Sequence, residues 1–111
     1  MPYREEDISI YWIDSDAELA RAVDSWSSVV ALDTEFIRTN TFYPIPGLYQ
    51  VASDTDVFLL DPLTIEDWEP LKSYLMNPDT CKIMHACLED LELIFAHLRI
   101  VPSNVFDTQL A

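Results

Sequence analysis

The stretch Val29-Val30-Ala31-Leu32-Asp33-Thr34-Glu35-Phe36 runs apolar for four residues and turns acidic only at its far end. A short apolar run rich in β-branched residues predicts a buried strand. Side chains alternate along a strand, so Asp33 and Glu35 leave one face while Thr34 leaves the other. Two carboxylates on one face at a strand end offer oxygen ligands to a hard cation. The spacing alone is weak evidence, because Asp14 with Asp16, Asp54 with Asp56 and Asp90 with Glu92 share it. Most such pairs are solvated turns or helix surface.

Outward from this strand the order of elements is mixed. Upstream, residues 8–13 alternate apolar and polar and predict a first strand at a sheet edge. Ser15 and Glu18 have capping-box spacing, and Leu19, Val23 and Trp26 then share one helical face. Downstream, residues 39–46 read as a loop, and 48–53 with 57–60 as two paired strands joined through Asp54-Thr55-Asp56. Asp61-Pro62 closes that hairpin. A helix over 66–76 turns Trp68, Leu71 and Leu75 inward. A short strand follows over 82–86, then a helix over 88–98 with Leu88, Leu91, Phe95 and Leu98 inward. Val105-Phe106 forms another short strand, and Asp107 caps a helix beginning Thr108-Gln109-Leu110. Meandering strands followed by strand–helix alternation predict an α/β fold, an open mixed sheet flanked by helices.

Composition bounds the function. At 111 residues there is room for at most one domain, and 50% apolar with 12% aromatic residues is enough for a core. Twenty acids against 6 bases give a net charge of −14, which argues against a general nucleic-acid binder with a basic footprint. It permits a site where acids converge on cations, whose charge reverses the local field. Cys81 and Cys87 form no CxxC pair, and with His85 between them they suit neither a zinc knuckle nor a redox motif. Reduced thiols, a polar acidic start and no membrane-length apolar run predict a cytoplasmic protein with no membrane partner.

The second chemically loaded stretch is His85-Ala86-Cys87-Leu88-Glu89-Asp90-Leu91-Glu92. Acids favour helix amino termini, which accounts for Glu89 and Glu92. Asp90 differs, because Leu91 and Ile94 border it on the apolar side of the helix. An acid beside a buried face needs a partner, and a metal ion is one candidate.

Taken together, these segments resemble the ribonuclease D family of 3′–5′ exonucleases. Ala31-Leu32-Asp33-Thr34-Glu35-Phe36, with Ile37-Arg38-Thr39 and Phe42-Tyr43-Pro44, is similar to its first exonuclease motif. Tyr49-Gln50-Val51-Ala52 and Leu59-Leu60-Asp61-Pro62 fall where the family has its next two strands. His85 through Glu92 resembles the second motif, and Phe106-Asp107-Thr108-Gln109 the segment after it. The resemblance implies a ribonuclease H-like fold and a four-carboxylate site in which Asp33, Glu35 and Asp90 are catalytic and hold metal. It implies two divalent ions, Mg²⁺ or Mn²⁺, about 3.5–4 Å apart, which activate a water and stabilise the departing 3′-oxygen. The implied activity is 3′–5′ trimming of RNA 3′ ends, in particular those of transfer RNA precursors. Thr34, Phe36, Arg38 and His85 are the candidate substrate contacts: Phe36 either stacks on a base or packs in the core, Arg38 either reaches a phosphate or stays in solvent, and His85 either touches the terminal nucleotide or is a satisfied strand-end histidine.

Two departures matter. Broader exonuclease families often carry Asn and an aromatic residue where this chain has His85 and Glu89, which shifts the subfamily rather than the chemistry. The third motif is also missing: the fourth acid and the tyrosine that positions water are expected beyond Ala111, and Asp107 reads as a helix cap instead. Residues 1–111 are therefore expected to be a partial exonuclease domain, truncated before its C-terminal helices and inactive alone. An uncovered sheet face would then favour self-association. Two rival readings exist. A haloacid dehalogenase-like phosphatase would need a second Asp where Glu35 stands. A catalytically incompetent nuclease-fold binding or scaffold module would need no divalent ion.

Overall fold

The apolar run at 29–32 becomes an interior strand of a six-stranded sheet. The computed structural model describes residues 8–37, 45–85 and 87–109. In chain order the elements are β1 (Ser9–Ile13), α1 (Asp16–Ser25), β2 (Val29–Ile37), β3 (Ile45–Ser53), β4 (Asp56–Leu60), α2 (Glu69–Met76), β5 (Cys81–Met84), α3 (Leu88–Leu98) and β6 (Val105–Asp107). Across the sheet the strands run β1-β4-β3-β2-β5-β6. β1 lies at an edge, as its alternation predicts, parallel to β4. β4, β3 and β2 form an antiparallel meander, while β2, β5 and β6 are parallel. The Asp54-Thr55 turn between β3 and β4 places Asp54 at φ 53°, a left-handed conformation that aspartate tolerates better than most residues.

Local chemistry sets the helix boundaries. Ser15 caps α1, its side chain accepting the Glu18 N–H at 3.2 Å. α2 starts at Glu69 rather than Glu66, because the main chain before it is held elsewhere. Asp16 Oδ1 accepts the N–H groups of Glu66 at 2.8 Å and Asp67 at 3.0 Å, and Asp67 Oδ1 accepts that of Glu69 at 3.1 Å. Lys82, fully buried in β5, closes the far end of α2. Its Nζ donates to the carbonyls of Asn77 (2.9 Å) and Thr80 (2.7 Å) and to Thr80 Oγ1 (3.0 Å).

Register rows show where the core sits. Thr34, Tyr49 and Leu60 lie opposite one another across β2, β3 and β4, as do Leu32, Val51 and Phe58, and all six are buried. Leu19 and Ala22 of α1, Leu71 and Leu75 of α2, and Ile94 and Leu98 of α3 join them in one cluster. Each fully buried large apolar side chain contributes about 1.5–3 kcal/mol against exposure. The alternate rows face away from this cluster. Asp33, Gln50, Leu59 and Trp12 form one, and Ala31, Ala52, Val57 and Ile10 another. Ile10 and Trp12 are 68% and 53% exposed, so among the described residues the helices cover one face only.

α3 corrects one sequence expectation. Its buried residues are Asp90, Leu93, Ile94 and Leu98, whereas Leu88 and Phe95, expected inward, are exposed. Leu91 is partly buried against the core. Apolar residues surround most of this helix, so apolar periodicity does not determine its phase; docking on β2 and β3 does. The strand expected over 82–86 ends at Met84, where the chain turns toward α3 and Asp107 Oδ2 accepts the Cys87 N–H at 2.9 Å. Residues 39–44 of the expected loop lie outside the described residues, and its last two, 45 and 46, belong to β3 instead, where Ile45 pairs with Ile37 and Pro46 with Phe36. Leu110 and Ala111, which would extend a helix capped by Asp107, also lie outside the described residues.

Candidate active site

The acidic end of β2 and the start of α3 come together where β5 stops pairing with β2. The two strands are in register from Val29 to Ala31 only, whereas β2 stays paired with β3 as far as Ile37. β5 ends at Met84 and α3 begins at Leu88, so the start of α3 arrives beside the acidic end of β2. In open α/β sheets, the carboxyl ends of parallel strands are where ligand crevices form.

Along β2, Asp33 and Glu35 are exposed and Thr34, between them, is 7% exposed, which is the alternation the sequence predicts. Asp33 Oδ1 accepts the N–H of Thr34 at 3.0 Å, which orients that carboxylate. A register shift between Glu35 and Phe36 bends the strand just beyond the acids. From the helix side Asp90, 8% exposed, approaches Thr34, and the Thr34 hydroxyl donates a short hydrogen bond to Asp90 Oδ1. Asp90 therefore reaches β2 from the covered face, while Asp33 and Glu35 leave by the other.

Burial pushes the Asp90 carboxyl above the ordinary carboxylate range. The charges of Asp33 and Glu89 act in the same direction, and the Thr34 hydroxyl and main-chain N–H pull against them. Protonation or a bound cation would each relieve that desolvation and repulsion. Among the described residues, however, no three His, Cys, Asp or Glu side chains already stand close enough to hold a metal ion. In chemistry the donors suit a hard divalent cation.

The expected substrate contacts are divided. Thr34 is buried, with its hydroxyl engaged by Asp90 and its main-chain N–H by Asp33. His85 is exposed at the end of β5, its Nδ1 paired with Thr108 Oγ1 at 2.8 Å. Phe36 continues β2, but its side chain lies outside the described residues, as does Arg38. Asp107 accepts the Gln109 N–H at 2.9 Å, in the manner of a cap, while its other oxygen takes the Cys87 N–H. Burial, followed by hydrogen bonding and repulsion from Asp107, pushes the Cys87 thiol up, so it is not a reactive thiolate.

One pair was not singled out from the sequence. Tyr49, fully buried on β3, lies 2.7 Å through its hydroxyl from Nδ1 of His97 on α3. The Trp68 ring meets that imidazole edge-on at 5.1 Å. The spacing Asp90, Leu93, Ile94, His97 on one helical face is the signal that would have found it.

A family model described as 3′–5′ exonuclease matches residues 10–111. Ribonuclease D of Pseudomonas paraeruginosa is 45% identical over 104 residues, covering 92% of this chain and 28% of the relative. Ribonuclease D of Escherichia coli is 43% identical over 97 residues, covering 87% of the chain and 26% of the relative. The chain thus spans about a quarter of the length of these relatives. The crystal structure of Escherichia coli RNase D, described as an exoribonuclease involved in structured RNA processing, superposes with a TM-score of 0.85 at 40% identity. That match covers 93% of this chain and 28% of the other. Trypanosoma brucei RNase D in complex with RNA U12 gives a TM-score of 0.82 at 28% identity, over 92% of this chain and 38% of the other. The mixed sheet with its helices is therefore the ribonuclease H-like exonuclease fold. Among the described residues no helix is long and apolar enough to cross a membrane.

Proposed function

The chain belongs to the ribonuclease D family of 3′–5′ exonucleases, and from that premise we propose that the complete protein trims RNA 3′ ends by metal-dependent hydrolysis. The observation that carries this reading is the β2–α3 junction, where Thr34 holds Asp90 within the electrostatic reach of Asp33. Asp33, Glu35 and Asp90 would hold two divalent ions, Mg²⁺ or Mn²⁺, which when bound supply an activated water and neutralise charge at the departing 3′-oxygen. Thr34 fixes one Asp90 oxygen and leaves the other for a ligand. The Thr34 N–H orients Asp33. His85, at the strand end, presents its second ring nitrogen to the terminal nucleotide. Phe36 stacks on a base, and Arg38 reaches a phosphate.

The RNA complex of the trypanosomal relative supports RNA as the substrate class, and the resemblance supports transfer RNA precursors. Within these 111 residues the site has three carboxylates, so the chain alone is inactive; constellations that act as a unit fail non-additively. A binding module without catalysis is the second reading, favoured by the lack of a preassembled metal cluster among the described residues. The test uses the complete protein, a 3′-extended RNA and Mn²⁺. Wild type produces a single-nucleotide ladder and Asp33→Asn does not, while both bind RNA and keep the same far-ultraviolet circular dichroism. Equal laddering by the two would eliminate the assigned site, and no laddering by wild type would favour the binding module.

A further inference from the structure

On the reading that Asp90 is a metal ligand, we propose that His97 is a positioning residue. Its hydrogen bond to Tyr49 fixes the seating of α3 on the sheet, and through α3 the placement of the Asp90 carboxylate. Asp90 and His97 lie on one face of α3, about 10 Å apart along its axis at about 1.5 Å per residue. Between them Leu93 and Ile94 are completely buried. Their partners on the sheet, Thr34 and Tyr49, are register neighbours on β2 and β3. The helix is thus pinned at two polar points to adjacent strands: Asp90 to Thr34, and His97 to Tyr49 at 2.7 Å. Apolar contacts alone tolerate small slides and rotations, because cores lose uniqueness before they lose stability. A directional bond at the far end removes that freedom.

The contact does not depend on one assignment of donor and acceptor. Tyr49 has no exposed surface, and burial pushes its hydroxyl well above the ordinary phenol range, so it remains an O–H donor. Nδ1 accepts that O–H when the neutral imidazole carries its proton on Nε2, and a protonated Nδ1 donates to the phenol oxygen instead, so the contact holds in either arrangement. Burial first, and the Lys72 ammonium second, hold His97 below its ordinary value of 6.5. The titratable groups facing it are Tyr49 from β3 and Lys72 from α2, the latter 3.7 Å from Glu69. Trp68 contributes a ring and no charge.

The experiment compares His97→Leu and His97→Asn in the complete protein, with Mn²⁺ and a 3′-extended RNA at neutral pH. Leu removes the acceptor; Asn places Oδ1 where Nδ1 stood and does not titrate. The expected result is a kcat about 10- to 100-fold lower in His97→Leu with KM nearly unchanged, the penalty of an ångström-scale misplacement. His97→Asn should keep its kcat. A wild-type kcat in His97→Leu would overturn the proposal, even with a lowered melting temperature. Equal damage in both variants would overturn it too. If neither variant folds, Tyr49→Phe, which removes the hydroxyl alone, decides: a lowered kcat at unchanged KM supports the pin, and a wild-type kcat overturns it. Asp90→Asn, run alongside, separates the two ideas, because full activity there would defeat the site assignment itself.

Discussion

Replacing Thr34 by valine probes the centre of the site with little change of shape. Valine keeps the β-branch that suits a strand, so local propensity is preserved. What disappears is the hydroxyl that donates to Asp90, between groups 7% and 8% exposed. Hydrogen bonds to charged groups are worth about 1.5–3 kcal/mol. The Thr34 main-chain N–H, which also stabilises the ionised Asp90, survives the substitution and softens the loss. The expected destabilisation is about 2 kcal/mol, the middle of that range. In a domain of this size it corresponds to a melting temperature lower by about 8 °C. Thr34→Ser keeps the hydroxyl and should recover most of the difference. The assay is urea denaturation of Thr34→Val, Asp90→Ala and the double variant, followed by tryptophan fluorescence. Because the two groups touch, their effects should couple by about 1–2 kcal/mol. Additivity within about 0.3 kcal/mol would refute the claim that Thr34 holds Asp90.

Three further outcomes are expected. Ser15→Ala should destabilise the fold by about 1 kcal/mol through loss of the α1 cap, measurable by chemical denaturation, with Ser15→Asp close to wild type. The Asp67 N–H, and then that of Glu66, hold the Asp16 carboxyl below its ordinary value of 3.8. Its stabilising contribution is therefore present above that value and lost as pH falls through the folded-state value. The stability difference between wild type and Asp16→Ala should shrink in acid, and a pH-independent difference would contradict this. Finally, the open face carrying Ile10 and Trp12 should make the 111-residue chain bind a hydrophobic dye and self-associate. Salt should promote the association, since a net charge of −14 repels until it is screened over about 8–10 Å. Trp12→Ser should weaken it, and a dye-free monomer at every salt concentration would count against a sticky face.

The fold was legible where one physical signal dominated. Residues 29–36 read as a buried strand and form the interior strand β2, and the turn at Asp54-Thr55 joins the paired strands β3 and β4. Ser15 with Glu18 marked the start of α1 at the right residue. Errors arose where tertiary bonds overrode local pattern. The start of α2 moved by three residues because a carboxylate from α1, Asp16, captured the main chain of Glu66 and Asp67. A contact between residues 50 positions apart leaves no local trace.

The site divides along the same line. Strand alternation alone put Asp33 and Glu35 on one face, and the apolar neighbours of Asp90 marked it as an acid beside a buried surface. Alternation also turned Thr34 to the opposite face, but neither signal said that it would bond Asp90 there. Alternation says which face a side chain takes, and only the helix docked there decides what it meets. The phase of α3 was misread for a related reason. Leu88 and Phe95 look like core residues by hydrophobicity, yet both are exposed, while polar Asp90 and His97 face the sheet. A helix apolar around most of its circumference has several acceptable buried faces of similar hydrophobic worth. Directional bonds at its two ends can select one, and here they select the face that carries the carboxylate. The residues that look wrong for a core are therefore the ones that set its geometry.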